Sequence, residues 1–381
     1  MKSIKNAKVY IEGRGFISTS LSFDERIQEI GASIGEEIVV PKDAIVLPGF
    51  IDQHIHGAGG YDFMDGSVLG LETISATLVK EGTVGYLATT VSASVEKTKQ
   101  ALYSVREYKA MRKSCGAEIL GVHLEGPFIC HKYKGGMNEL YILQSDVNIL
   151  QDFIQASENC VKIVTYAPEL DSDGTFLKAL MDSDIVASAG HSNATYAQMQ
   201  EAVAHGLKNV THTYNAQSPL HHREIGVVGS ALLLDELHTE LIADEIHVSV
   251  PAMQVLLKNK PKNKVILVTD SMRAKGVEEG ISEIGGQKVI VKNGEARLEN
   301  GTLAGSVLKM NIAIKNLVED LGVSLTDAID YATINPAKAL GVEKDLGSIA
   351  VGKKASFTLL DKKYNVVMTI VNGNIVYKKE D

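Results

Sequence analysis

The chain has 381 residues, 45% of them hydrophobic and 22% charged, the composition of a soluble globular protein with apolar mass for one large core and a smaller second unit. Its formal net charge of −9 gives no general attraction to nucleic acid, so an anionic ligand needs a local basic pocket. No apolar run is long enough to span a bilayer and the first residues hold no signal-peptide core, so no membrane partner is expected and the compartment reads as cytoplasmic.

Cys115, Cys130 and Cys160 are an odd number of cysteines in a long chain, so no disulfide framework is expected. From Ile4 to Val46 the pattern is short, β-rich and punctuated by turns, with no amphipathic helix before Pro48. From about Leu71 helical stretches alternate with brief apolar runs, and Val95 to Lys113 is the clearest long helix.

Eight strands are predicted, and several end in a polar residue that a core would not choose. Gly49 to Asp52 leads to His54 and His56, and Glu118 to Val122 leads to His123 and Glu125. Ile185 to Gly190 stops at His191, Asn209 to Thr211 reaches His212, and Val265 to Thr269 stops at Asp270. Tyr86 to Thr90, Lys162 to Tyr166 and Thr239 to Ala243 complete the set. Helices at Thr195–His205, Pro251–Lys258 and Val307–Leu321 supply the alternation that implies a parallel sheet. The expected fold class is α/β, a (β/α)8 TIM-type barrel over 49–338, whose strand C-termini share one rim.

After Pro336 the chain returns to β character, with runs at Phe357–Asp361 and Val366–Val371 and an Asn372-Gly373 hairpin turn before Asn374–Tyr377. Neither this tail nor the first ~48 residues has enough core alone. Together, 1–48 and 339–381 are expected to form a small discontinuous β-sandwich domain.

His54 and His56 lie two residues apart and share a face of an extended backbone, so both imidazoles can grip one ion. Gly57-Ala58-Gly59-Gly60 lets the chain fold tightly beside them. Singly, Glu125, His191 and His212 read as solvated or hydrogen-bonded strand-end residues. Their co-occurrence at successive strand ends gives the nitrogen and oxygen ligands that zinc or iron takes, with a coordination position left open as in catalytic sites. Asp270, ending the cleanest buried strand, needs a partner and is the candidate general base.

With these residues in place the chain resembles the amidohydrolase superfamily and, within it, the N-acetylglucosamine-6-phosphate deacetylases. The resemblance spans nearly the whole length. It is carried by Pro48-Gly49-Phe50-Ile51-Asp52 with His54 and His56, by Gly121–Phe128, Ala189–Ala194 and Thr211–Ala216, and by Val268–Gly276 and Leu303–Ser306. It implies a metal at Glu125, His191 and His212, a second at His54 and His56 with Glu125 bridging, and Asp270 as base. The cofactor is thus one or two divalent ions, zinc or iron. It also implies that Arg223 and His247 bind a sugar phosphate, with His247 reaching in from the partner of a homodimer. Asn215 and Ala216 would contact substrate near the phosphate, and Leu303, Ala304, Gly305 and Ser306 would cover the sugar.

One position departs from the pattern. Many relatives carry a substrate-touching His after the Glu-Gly-Pro motif, where this chain has Met137, which cannot donate that hydrogen bond. An N-acetylgalactosamine-6-phosphate deacetylase is therefore the neighbouring reading. An amidohydrolase acting on a cyclic amide and a non-catalytic scaffold are the others, since a barrel does not choose a substrate.

Overall fold

The protein is described by a computed structural model over residues 1–111 and 116–380. Cys115 and the end of the expected helix at 112–113 lie outside the described residues; within them that helix runs Val95–Ala110. Cys130 and Cys160 are free thiols.

Eight strands pair side by side in chain order: Phe50–Ile55, Thr83–Thr89, Glu118–Glu125, Val161–Tyr166, Val186–Ala189, Asn209–Val210, His238–Leu241 and Val265–Leu267. Every pairing is parallel, and a helix follows each strand before the chain returns. Thr83–Thr89 is buried at every position, as a strand covered on both faces must be. The first and eighth strands close the ring just above their ends, where the Asp270 amide donates to the His54 carbonyl at 2.9 Å and the His56 amide to the Ser271 carbonyl at 2.8 Å. The eight-stranded barrel expected from the sequence is the fold found.

Local chemistry fixes where the helices begin. Thr195 caps Tyr196–Ala204 through a reciprocal box with Gln198, and the Ser94 hydroxyl accepts from the Lys97 amide to start Val95–Ala110. The last expected helix is shorter than its apolar pattern, Met310–Glu319. Residues ahead of it are held to the eighth strand instead, with the Ser306 amide donating to the Asp270 carbonyl at 2.7 Å.

The barrel interior is unusually polar. Gln53, His123, Thr165, Ser188, Asn209, Thr211 and Glu240 are all buried, where branched aliphatic layers are the rule. Most of their polar atoms pair with one another: His123 Nε2 meets Thr165 Oγ1 at 2.7 Å, Thr165 Oγ1 meets Thr211 Oγ1 at 2.6 Å, and Gln53 donates to Glu240 at 2.7 Å, while Gln53 Oε1 and Asn209 Oδ1 have no partner among the described residues.

A second, mixed sheet joins Lys2–Ile11, Gly15–Phe23, Ile27–Ile30, Glu36–Glu37 and Ile45–Pro48 to Phe357–Leu360, Val366–Val371 and Asn374–Lys378. Ile45–Pro48 is the seam, parallel to Lys2–Ile11 on one side and antiparallel to Phe357–Leu360 on the other. The sheet folds over on itself. Phe23 and Phe357 belong to strands with two others between them, about 14 Å apart if flat, yet their rings meet edge-on at 5.2 Å. This sheet is tied to the barrel through Thr358 and Thr369, whose hydroxyls donate to the carbonyls of Gly82 and Val79 at 2.5 and 2.7 Å.

A third sheet was not anticipated. After the eighth strand, Gly280–Ile284, Gln287–Lys292 and Glu295–Leu298 form an antiparallel meander. Its turns at Gly285-Gly286 and Asn293-Gly294 are hairpin signals legible in the sequence. Among the described residues, no helix is long and apolar enough to cross a membrane.

Candidate metal centre

The strand ends on one rim bring six side chains together. Glu125 is the hub: its Oε1 lies 3.2 Å from His191 Nε2, 2.8 Å from His212 Nε2 and 3.4 Å from His54 Nε2, and its Oε2 lies 3.2 Å from His56 Nε2. Asp270 Oδ1 faces the same histidine pair, 3.0 Å from His56 Nε2 and 3.5 Å from His54 Nε2. All six residues are buried. The two-residue spacing of His54 and His56 does place both Nε2 atoms on one side, and the ends of the third, fifth, sixth and eighth strands supply the rest.

Backbone geometry turns these side chains inward. His191, His212 and Asp270 sit at φ of 49°, 28° and 48°, and Tyr214 and Ala216 beside them at 83° and 50°. Such conformations cost non-glycine residues on the order of 1–3 kcal/mol each and persist where surrounding bonds over-determine them.

The donor set fits a metal. His191 Nδ1 lies 2.8 Å from the Tyr133 carbonyl, His56 Nδ1 3.2 Å from the Thr89 carbonyl and His54 Nδ1 3.0 Å from the Glu240 carboxylate, so each Nδ1 carries the proton and each Nε2 presents a lone pair. His54 Nε2 is buried without a hydrogen bond, and His191 and His212 Nε2 stand 3.2 Å apart. Converging lone pairs repel unless a cation or proton lies among them. Three imidazole and carboxylate groupings here draw their ligand atoms within 4.8 Å: His54–Glu125–His212, His54–His56–Asp270 and His54–His123–Glu240.

The charges respond accordingly. Burial pushes Asp270 up, but His54 and His56 outweigh it and bring its pKa down to about 2; Glu125 is likewise held well below the usual range against its burial. Burial opposes charge on His56, yet Asp270 and Glu125 lift it to about 10, and His54 is lifted well above its ordinary value by the same carboxylates. At neutral pH the metal-free cluster therefore holds protons where an ion would sit. Ion binding at pH 7.5 is expected to release about one to two protons and to weaken as pH falls. Calorimetry in buffers of different ionisation enthalpy checks this: a binding heat independent of buffer would contradict it.

Beside the cluster opens a cavity of about 210 Å³ walled by Val91, Met137, Ile284, Leu303 and Ala304, with Asn215, Ala216, Gly305 and His247 around it. Met137 takes the Ser92 amide on its sulfur at 3.4 Å. The unanticipated meander contributes Ile284 and Gly285, and Gln287 of the same sheet donates its amide to the Gly136 carbonyl, roofing the cavity. Ser306 is not on the wall; its hydroxyl donates to the Thr269 carbonyl at 2.6 Å and fixes the strand bearing Asp270.

The two expected phosphate-binding residues are separated. His247 lines the cavity of its own chain, braced by Asp244 Oδ2 at 2.6 Å from its Nδ1, so its delivery from a partner subunit is not what this geometry shows. Arg223 is exposed outside the cavity, with Nη1 2.8 Å from His222 Nε2. Burial disfavours the His247 cation, but Asp244 outweighs it and raises the pKa. Sequence reasoning missed Glu240, the buried carboxylate behind His54; a Glu inside the apolar run Thr239–Ala243 was the available signal.

Comparisons with known proteins point to one family. The model of the amidohydrolase family matches residues 45–376. The N-acetylglucosamine-6-phosphate deacetylase of Bacillus subtilis (strain 168) is 43% identical over 376 residues, covering 98% of this chain and 93% of that protein. The N-acetylgalactosamine-6-phosphate deacetylase of Escherichia coli O157:H7 is 34% identical over 338 residues, 88% of this chain and 89% of that one. The crystal structure of N-acetylglucosamine-6-phosphate deacetylase from Pasteurella multocida superposes with a TM-score of 0.92 at 32% identity, covering 98% of this chain and 99% of that chain.

Proposed function

This chain belongs to the amidohydrolase family, and on that premise we propose that it hydrolyses the acetamide of N-acetylglucosamine 6-phosphate to acetate and glucosamine 6-phosphate, a step of amino-sugar catabolism. The observation that carries the chemistry is the convergence of His54, His56, His191 and His212 on Glu125, with Asp270 facing His54 and His56, at the mouth of an apolar-walled cavity. We assign one divalent ion to Glu125, His191 and His212 and a second to His54 and His56, with Glu125 shared; zinc or iron suits these ligands. Such an ion, when bound, activates water and polarises a carbonyl.

The protein's own residues do the rest. Asp270, ionised and facing the cluster from the eighth strand, accepts the proton of the attacking water and returns it to the departing amine. Met137, Leu303, Ala304 and Gly305 enclose the sugar, and Asn215 and the Ala216 backbone lie toward its phosphate. His247, braced by Asp244, which favours its cation, meets the phosphate from within the chain. Arg223 would be presented by a second copy, in a homodimer.

The direct test is acetate release by metal-replete protein from N-acetylglucosamine 6-phosphate, its galacto epimer and the unphosphorylated sugar. Preference for the first supports the assignment and makes Met137 a tolerated variation. Preference for the epimer would move it to the neighbouring activity, and no release from any would overturn the substrate class.

His247→Ala is expected to raise KM for the phosphorylated sugar about tenfold or more, the loss of a charge-assisted hydrogen bond worth roughly 1.5–3 kcal/mol, with kcat little changed. In the unmodified protein KM should rise with pH as the His247 cation is lost, with the rise displaced upward from the ordinary imidazole range because Asp244 raises its pKa. An unchanged KM in His247→Ala and a flat KM profile would refute the phosphate assignment. Light scattering showing a monomer would remove the cross-subunit role of Arg223.

A further inference from the structure

Glu240 sits on the seventh strand, fully buried, where it touches the first strand and the segment after the sixth at once. Its Oε1 accepts from Gln53 Nε2 at 2.7 Å and Asn209 Nδ2 at 3.3 Å. Its Oε2 faces His54 Nδ1 at 3.0 Å and accepts from the His212 backbone amide at 3.1 Å. Four donors thus converge on a group that only accepts, which fills the capacity of an ionised carboxylate.

His54 is treated differently from its neighbours. His56 and His191 lean their Nδ1 atoms on the neutral carbonyls of Thr89 and Tyr133, whereas His54 leans on a charged carboxylate. Its ring is further boxed in by His123 and His212, with centroids at 4.6 and 5.3 Å. A carboxylate behind an imidazole sets the tautomer, fixes the ring plane and makes the far nitrogen a stronger ligand.

We infer that Glu240 is a positioning residue that locks His54 with its proton on Nδ1 and its Nε2 lone pair turned into the cluster, and so sets the affinity of the ion shared by His54 and His56. The inference rests on the two-ion reading above. Gln at this position would remove the charge behind His54, and with its oxygen turned to the His54 and His212 donors its NH2 group would require Gln53 and Asn209 to turn their unpartnered oxygens toward it.

The test is a zinc titration of wild type and Glu240→Gln by competition with a chromophoric chelator, with the far-ultraviolet spectrum confirming the fold. The wild type should hold two equivalents; the variant should hold one with affinity within about twofold and the other weakened roughly 10- to 100-fold. In a His54→Ala background the Glu240→Gln change should cause no additional zinc loss, because its effect passes through His54. A wild type that holds a single equivalent would overturn the two-ion reading itself. Two unaltered equivalents in the variant, or equal weakening of both, would instead overturn the role of Glu240 and leave that reading standing. Imidazole nitrogen NMR of zinc-loaded wild type gives a check independent of any variant: His54 protonated on Nδ1 is expected, and protonation on Nε2 refutes the inference.

Discussion

Replacing Asp270 by Asn should lower kcat by roughly 10²- to 10⁴-fold while KM changes little and the protein keeps at least one equivalent of metal. Asn has nearly the same shape, so the bond to His56 and the backbone link to His54 can persist, and Glu125, His191 and His212 are untouched. What disappears is a carboxylate poised with a pKa of about 2, an acceptor for one proton on the rim where water and amide meet. Steady-state kinetics with metal analysis on the same sample decides it. A metal-replete variant turning over near the wild-type rate would remove Asp270 from the mechanism.

A larger effect is expected at Glu125. Glu125→Gln leaves four imidazoles facing a neutral amide, so the shared anionic ligand and the counter-charge for His54 and His56 go together. Loss of one partner from a buried charge cluster costs about 3–5 kcal/mol, so both metal content and stability at pH 7 should fall, with activity at background. The sign with pH follows from the shifts. Glu125 is depressed, so its contribution is present above the ordinary carboxylate range and lost as pH falls through its lowered pKa. Raised His56 contributes below its ordinary pKa and loses that contribution as pH climbs toward 10. The stability gap between wild type and variant, both metal-free, should therefore be widest near pH 5–6. Denaturant melts across pH would show this, and a gap that widens toward pH 10 would refute the charge argument.

Much of this site was legible because the barrel puts chemistry where strands stop. His54, Glu125, His191, His212 and Asp270 each follow an apolar run, and strand register alone then carries them to one rim. Glu240 was not legible as a partner of His54, because 186 residues separate them and only ring closure lets a side chain of the seventh strand meet one of the first inside the barrel. The meander at 280–298 was readable from its turns but hidden by exposed apolar residues such as Ile281 and Ile290, which blur the alternation of a strand. The location of His247 depended on a turn at Asp244, whose carboxylate accepts from the amides of Ile246 and His247 and swings the ring over the cavity. No periodicity encodes that swing.

The folded-over sheet imposes an order of events on synthesis. Ile45–Pro48 emerges early, but its antiparallel neighbour Phe357–Leu360 leaves the ribosome only after every barrel strand has been made. Until then Leu47 and Phe23, buried in the finished protein, lack the surface that covers them, and the Ile45–Pro48 edge is open to any other strand. The nascent chain therefore carries a sticky flap while the whole barrel is being made, and a strand that emerges after the barrel is the one that silences it.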